Sequence, residues 1–381
     1  LFLYASWTIN QYTITYNTYD NYDQLNNIPL IGGETIIQLV TGVNYSAALT
    51  SESRVFTWGC NDYGRLGDGT TIDRNTPVEI TLQFNLNEEE TESKLKNKVF
   101  DWLLYLNLPL VFGLVIYSLI EVTTNQLHTY EIVGLITSLG IVLAVNGINV
   151  AHELGHRQTS NERFLGKALL LPSLYMHFYI EHNFGHHLHA ATPEDPATAR
   201  YNQSVYSFWF TSTIRQYFKS WSIQQNLLKN NNNSFFSVKN DMLWYVVFQL
   251  TYLISVAYIF GTTVLIFAIL SGVIGFIILE SVNYIEHYGL LRLKTKSGRY
   301  ERVKEIHSWN SNHIIGRIVL YELTRHSDHH YKTSKKYQVL DCHTKSPQMP
   351  YGYPTSIVLA MFPPLWFKIM NKRVPRNMIV D

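Results

Sequence analysis

The run IVGLITSLGIVLAVNGINVA, Ile132–Ala151, passes without a break into HELGHR, His152–Arg157. At about 1.5 Å per helical residue, twenty mostly apolar residues span roughly the 30 Å hydrocarbon layer of a bilayer. The run therefore predicts a membrane-crossing helix that delivers two histidines to one membrane face. Phe100–Ile120, Met242–Phe260 and Thr262–Ile285 have the same character, with Gly261 as the turn between the last two. The central stretches of all four avoid charge, which costs about 2.5–3.5 kcal/mol at a helix centre. Phe164–Ile180 contains Lys167 and Pro172, and Thr355–Met370 is broken by Pro363-Pro364, so both are expected to be re-entrant or interfacial. The fold class is mainly α: a polytopic membrane helical bundle, with a small β-rich segment before it.

Thirty Lys and Arg against 29 Asp and Glu leave no basic excess, so nucleic acid is not an expected partner. Charged residues make up 15% of the chain, fewer than the roughly 25% of an ordinary soluble protein. Cys60 and Cys342 stand far apart and form neither a disulfide framework nor a zinc ribbon, which suits a reducing or cytosol-facing environment. Three organisational units follow: residues 1–82, β-rich; 83–99, a charged helix-prone linker containing EEETESKLKNK; and 100–381, the membrane domain. Lys94, Lys96 and Lys98 precede the first span, whereas Glu121–Glu131 has no Lys or Arg. The positive-inside rule then puts the start of the first span, and the end of the second, in the cytoplasm.

In the first unit, Trp7–Tyr16 partly alternates in the manner of a strand. Gly42–Thr50, Val55–Gly59 and Gly64–Thr70 resemble one repeat, over residues 32–80, of the regulator-of-chromosome-condensation propeller family. A propeller buries its sheet faces by stacking several blades, and this sequence offers one copy.

Four histidine clusters carry the chemistry: His152-Glu153-Leu154-Gly155-His156; Glu181-His182-Asn183-Phe184-Gly185-His186-His187; Asn283-Tyr284-Ile285-Glu286-His287-Tyr288-Gly289; and Arg325-His326-Ser327-Asp328-His329-His330. Positions three or four apart share a helix face. His152/His156, His182/His186 and His326/His329/His330 can each aim at one point, with His187 one step round. Nine imidazoles exceed one coordination sphere, so two metal ions are expected. Imidazole suits iron, copper, zinc and nickel alike. Glu153, Glu181, Glu286 and Asp328 are the expected partners of ring N–H groups. His128, His177, His189, His307, His313 and His343 are read as ordinary packed or solvated histidines. The first cluster also fits His-Glu-x-x-His, in which Glu153 would be the general base of a zinc protease. That reading leaves the other three clusters unexplained.

At these residues the sequence resembles the membrane alkane 1-monooxygenases, within the wider membrane fatty acid desaturase and hydroxylase group, over roughly residues 85–375. The resemblance implies two non-haem irons held by His152, His156, His182, His186, His187, His287, His326, His329 and His330, with no catalytic residue beyond these ligands. It implies O2 activation, hydroxylation of the terminal methyl of n-alkanes, electrons from a rubredoxin-type donor, and a multi-pass place in a bacterial inner membrane with the site on the cytoplasmic side. The family typically has six spans, four of them before the first box; here two precede it. Related desaturation, methyl-aromatic hydroxylation and an inactive chimera of two joined segments remain the alternatives. The basic residues flanking the third and fourth clusters, Arg292, Lys294, Lys296, Arg299, Arg302, Lys332, Lys335 and Lys336, are expected to receive an acidic donor.

Overall fold

The computed structural model describes residues 6–8, 11–13, 28–30, 34–51, 54–68, 70–80, 85–343 and 345–379. It divides into two units, residues 1–83 and 84–381.

In the first unit, β1 (Ser6–Thr8) pairs antiparallel with β2 (Gln11–Thr13), so the alternating run forms two short strands and not one; Ile14–Tyr16 lie outside the described residues. Then β3 (Ile36–Thr41), β4 (Tyr45–Thr50), β5 (Val55–Gly59) and β6 (Arg74–Glu79) form one antiparallel sheet in sequence order. Ala48 faces Phe56, and Ser46 faces Trp58. Ala48, Phe56 and Trp58 close over Ile28 as a small apolar core. Polar ties complete it. Arg54 bridges Glu34 at 2.9 Å and Glu79 at 2.7 Å. The Asn61 amide donates to Asp68 at 3.0 Å and accepts from the Leu66 N–H at 2.9 Å, holding the β5–β6 connection. Gly59 is required there: its φ is +110°, and a Cβ would stand 2.6 Å from the Tyr45 Cα. Gly69 of the repeat motif lies outside the described residues.

The second unit opens with Glu88–Lys96, a helix started by a capping box between Asn87 and Glu90. Among the described residues, four helices are long and apolar enough to cross a membrane: Val99–Thr124, Thr129–Gly155, Asp241–Phe260 and Thr262–His287. Gly261, at φ +88°, makes the reversal between the third and fourth spans. The second and fourth spans approach closely because glycines face the contact. A Cβ on Gly275 would lie 3.0 Å from the Leu143 Cβ, and one on Gly140 would run into Ile274. Small residues of this kind let membrane helices touch along their backbones. The second span carries a π-helical turn, Leu143–Ile148, just before its histidines.

Phe164–Ile180 breaks as its proline suggests: a helix over Ser160–Leu169 gives way to turns and then to Phe178–Glu181. Thr355–Met370 likewise divides into Tyr353–Ala360 and Pro363–Met370. One major helix has no counterpart in the sequence reading, Val205–Asn230, capped by Ser204. Its buried stripe, Phe208, Ser212, Gln216, Ser220, Gln224 and Leu228, is largely polar, while Tyr206, Phe210 and Phe218 are exposed. An inverted pattern of this kind escapes a search for an apolar face. The stripe has a purpose in packing: Gln216 donates to both oxygens of Glu280 at 3.0 Å, and Tyr175 donates to the same carboxylate at 3.0 Å. Glu280 is wholly buried in the fourth span.

Candidate metal centre

Each histidine cluster sits where a helix ends or changes pitch. His152 lies in the last turn of the second span and His156 caps it. His182–His186 is itself a π-helical turn, continued by His187. Local π geometry recurs at functional sites because it re-aims side chains within a helix. His287 is the last residue of the fourth span, and His326, His329 and His330 share the short helix His326–Tyr331.

All nine rings converge, in two groups that could each hold a metal ion. His152, His156, His182, His187 and His329 form one; His186, His287, His326 and His330 form the other. Within the first, the Nε2 atoms of His152 and His329 are 2.8 Å apart, those of His182 and His187 2.8 Å, and those of His156 and His187 3.1 Å. Within the second, His330 and His326 are 2.9 Å apart and His287 and His326 3.2 Å. Adjacent nitrogens around an ion at about 2.0–2.1 Å are separated by roughly 3 Å, so the spacing fits a coordination sphere. The groups adjoin, with His186 and His330 of the second at 3.1 Å.

The rings are tuned for ligation. Burial first, then repulsion among neighbouring rings, holds His182, His187, His326, His329 and His330 well below the ordinary imidazole value, and His156 down to about 3. Neutral rings present lone pairs, and five or four lone pairs aimed at one point are stable around a cation. His186 differs. Burial opposes its charge, but the Asp195 carboxylate lifts it above the ordinary value.

The expected carboxylate partners are arranged otherwise. Glu286 Oε2 lies 3.1 Å from Nε2 of His326, on the inner side of the ring, and its Oε1 accepts from the Tyr353 hydroxyl at 2.7 Å. Glu153 pairs with Arg157 at 3.0 Å and accepts from the Tyr337 N–H, which removes it from the role of a free general base. Glu181 pairs with Lys219 at 3.2 Å. Asp328 takes Lys335 and His343, each at 2.7 Å. The Nδ1 atoms of His326, His329 and His330 have no hydrogen-bond partner among the described residues. The partner that sequence reasoning missed is Asp195, 2.9 Å from Nδ1 of His186. Burial raises the Asp195 carboxyl, yet His186, Lys219 and the Thr198 hydroxyl together hold it below the ordinary value. Nothing in the spacing of Pro193-Glu194-Asp195-Pro196 marks it.

The flanking cations also divide. Lys335 binds Asp328 and Asp341, Lys336 binds Asp101 at 2.9 Å, and buried Arg292 donates to the carbonyls of Glu301 and Leu188. These three are engaged inside the fold. Lys294, Lys296 and Arg299 stay exposed on a hairpin-like loop closed by the Lys294–Tyr300 bridge, and Arg302 is exposed just after it.

Comparison with known proteins identifies relatives of both units. Residues 129–355 match the fatty acid desaturase family. Residues 36–65 and 52–87 match the regulator of chromosome condensation (RCC1) repeat. The chain is 39% identical over 292 residues to alkane 1-monooxygenase of Pseudomonas putida, covering 76% of this chain and 72% of that protein. It is 39% identical over 242 residues to alkane 1-monooxygenase 2 of Alcanivorax borkumensis, covering 64% of this chain and 63% of that protein's length. The hydroxylase component of a Pseudomonas putida xylene/toluene monooxygenase is 28% identical over 305 residues, 78% of this chain and 79% of that one. With its four apolar spans and converging histidine boxes, the chain belongs to the membrane-bound branch of the fatty acid desaturase family that contains the alkane 1-monooxygenases.

Proposed function

We propose that this chain hydroxylates the terminal methyl of n-alkanes, using two irons, one in each histidine group. The convergence of nine buried imidazoles into groups of five and four is the observation that carries this reading. An unactivated C–H bond offers no acid, base or nucleophilic route, so the bound metal would supply the oxidising power. The reaction inserts one oxygen atom of O2 into C–H and releases the other as water, consuming two electrons and two protons. The chain's own part is to position, to exclude water and to admit electrons. The four spans hold the site against a lipid-dissolved substrate, and Asp195 orients His186. We further propose a rubredoxin-type donor, docking on the exposed loop with Lys294, Lys296, Arg299 and Arg302, and a bacterial inner-membrane location with the histidine boxes toward the cytoplasm.

The test is elemental analysis of the purified protein, together with product analysis of cells fed n-alkanes. About two irons per chain and 1-alkanol formation are expected. His326→Ala and His186→Ala should lower iron content and abolish the product. Full iron loading in both variants, or one zinc with Glu153-dependent peptide cleavage, would refute the assignment.

A further inference from the structure

A small cavity of about 40 Å³ lies between the second and fourth spans, beside the metal centre. Its walls are apolar: Ala144, Leu279, Val282 and Leu323 all line it. Water needs roughly 10–15 Å³, so the space admits the end of a chain and little more. Ala144 and Val145 reach it from the π-helical turn of the second span.

Three polar residues line the same space: Asn149, Glu286 and Tyr353. Tyr353 and Glu286 satisfy each other at 2.7 Å, and Glu286 continues to His326 at 3.1 Å. Asn149 is different. Its Nδ2 is buried and has no hydrogen-bond partner among the described residues. It stands one helical turn before His152, and Glu286 directly precedes His287, so the cavity's polar lining comes from segments that carry a histidine of each group. A buried amide donor without an acceptor is costly, and such groups in native proteins call for an explanation. A hydrocarbon offers no acceptor. A hydroxylated hydrocarbon offers one at its end.

We propose that Asn149 donates its amide N–H to the hydroxyl oxygen of an alkanol product held in this cavity, with the adjoining carbons against Ala144 and Leu279. The inference rests on the hydrocarbon hydroxylase reading. It makes Asn149 a residue that distinguishes product from substrate. The site binds alkanol more tightly than alkane, and the amide slows release of the alcohol.

The test uses the purified full chain in phosphatidylcholine nanodiscs, without an electron donor, so that binding is read without turnover. Decane and 1-decanol are the probes, each measured against empty nanodiscs. The parent protein should favour 1-decanol over decane, and Asn149→Leu should lower that preference on the order of tenfold while keeping decane binding. Asn149→Ala provides the same comparison where the leucine variant does not purify. Ala144→Phe, which fills the cavity, should weaken both probes. An unchanged preference in the Asn149 variants overturns this inference and leaves the hydroxylase reading standing. Failure of the parent protein to bind either probe overturns that reading as well.

Discussion

Asp195 shows how much of the site rests on one carboxylate. Its Oδ2 takes the Nδ1 proton of His186 at 2.9 Å and the Thr198 hydroxyl at 2.6 Å, and Oδ1 takes the Ala197 N–H. The ring of His186 is thereby fixed in direction, with Nε2 toward the other rings of its group, 3.1 Å from Nε2 of His330. Partners of this kind change metal affinity by about 10–100-fold when removed. Asp195→Ala should lower iron affinity by that order, and Asp195→Asn, which keeps an acceptor, by less. Iron titration of the purified variants measures it, and parental affinity in both would remove Asp195 from the site. The nine histidines were legible as residues because their spacing is local. Asp195 was not, because its approach to His186 depends on how the chain turns between residues 189 and 198.

Among elements, the join between the first and second spans is the most informative. Asp101, near the start of the first span, accepts from Arg157 at 3.1 Å and from Lys336 at 2.9 Å. One carboxylate therefore ties the first span, the end of the first box and the segment after the fourth. Removing one member of a buried ion pair costs about 3–5 kcal/mol, and partial exposure of Lys336 places Asp101→Ala at about 3 kcal/mol. Thermal unfolding of the detergent-solubilised protein should show this loss; an unchanged midpoint would mean that the three elements are held by apolar packing alone. Gly140 and Gly275 make a second element-level prediction. Gly140→Val drives a side chain into Ile274 and should separate the second span from the fourth, lowering iron content without touching any histidine. Iron content equal to that of the parent would contradict it. The apolar spans were readable as elements, but Val205–Asn230 was not, since its buried face is serine and glutamine.

At the scale of the whole molecule, both box-bearing spans end on the same side, where Lys167 meets Asp241 at the start of the third span at 2.6 Å. In the proposed orientation, which rests on the lysine asymmetry, that side faces the cytoplasm. In a Cys60→Ser/Cys342→Ser background, a cysteine placed at Asn125 should be labelled from outside and one at Asn87 should be spared. The opposite pattern would reverse the orientation. Donor docking belongs to the same scale, because long-range charge acts mainly on encounter rate. Reduction at limiting donor should slow steeply as salt rises, since a Debye length of about 10 Å at 0.1 M shortens further. Charge reversal at Lys296 and Arg299 should slow it with iron content unchanged. The same reversal at Lys335 and Lys336 should instead damage the fold, because those lysines neutralise Asp328, Asp341 and Asp101. Rates indifferent to salt and to Lys296 and Arg299 would leave the loop without a docking role.

By itself the sequence determined the spans, the four boxes, the family and the repeat in the first unit, because each is written in a local period or a short motif. Only the tertiary structure decided how nine imidazoles divide into five and four, since His329 joins the first box and His186 the fourth across the bundle. It also decided which carboxylate serves a ring, which lysines stay exposed and where, among the described residues, an unpaired amide meets an apolar space. Those outcomes depend on which side chains meet across distant segments, and no local pattern encodes that meeting.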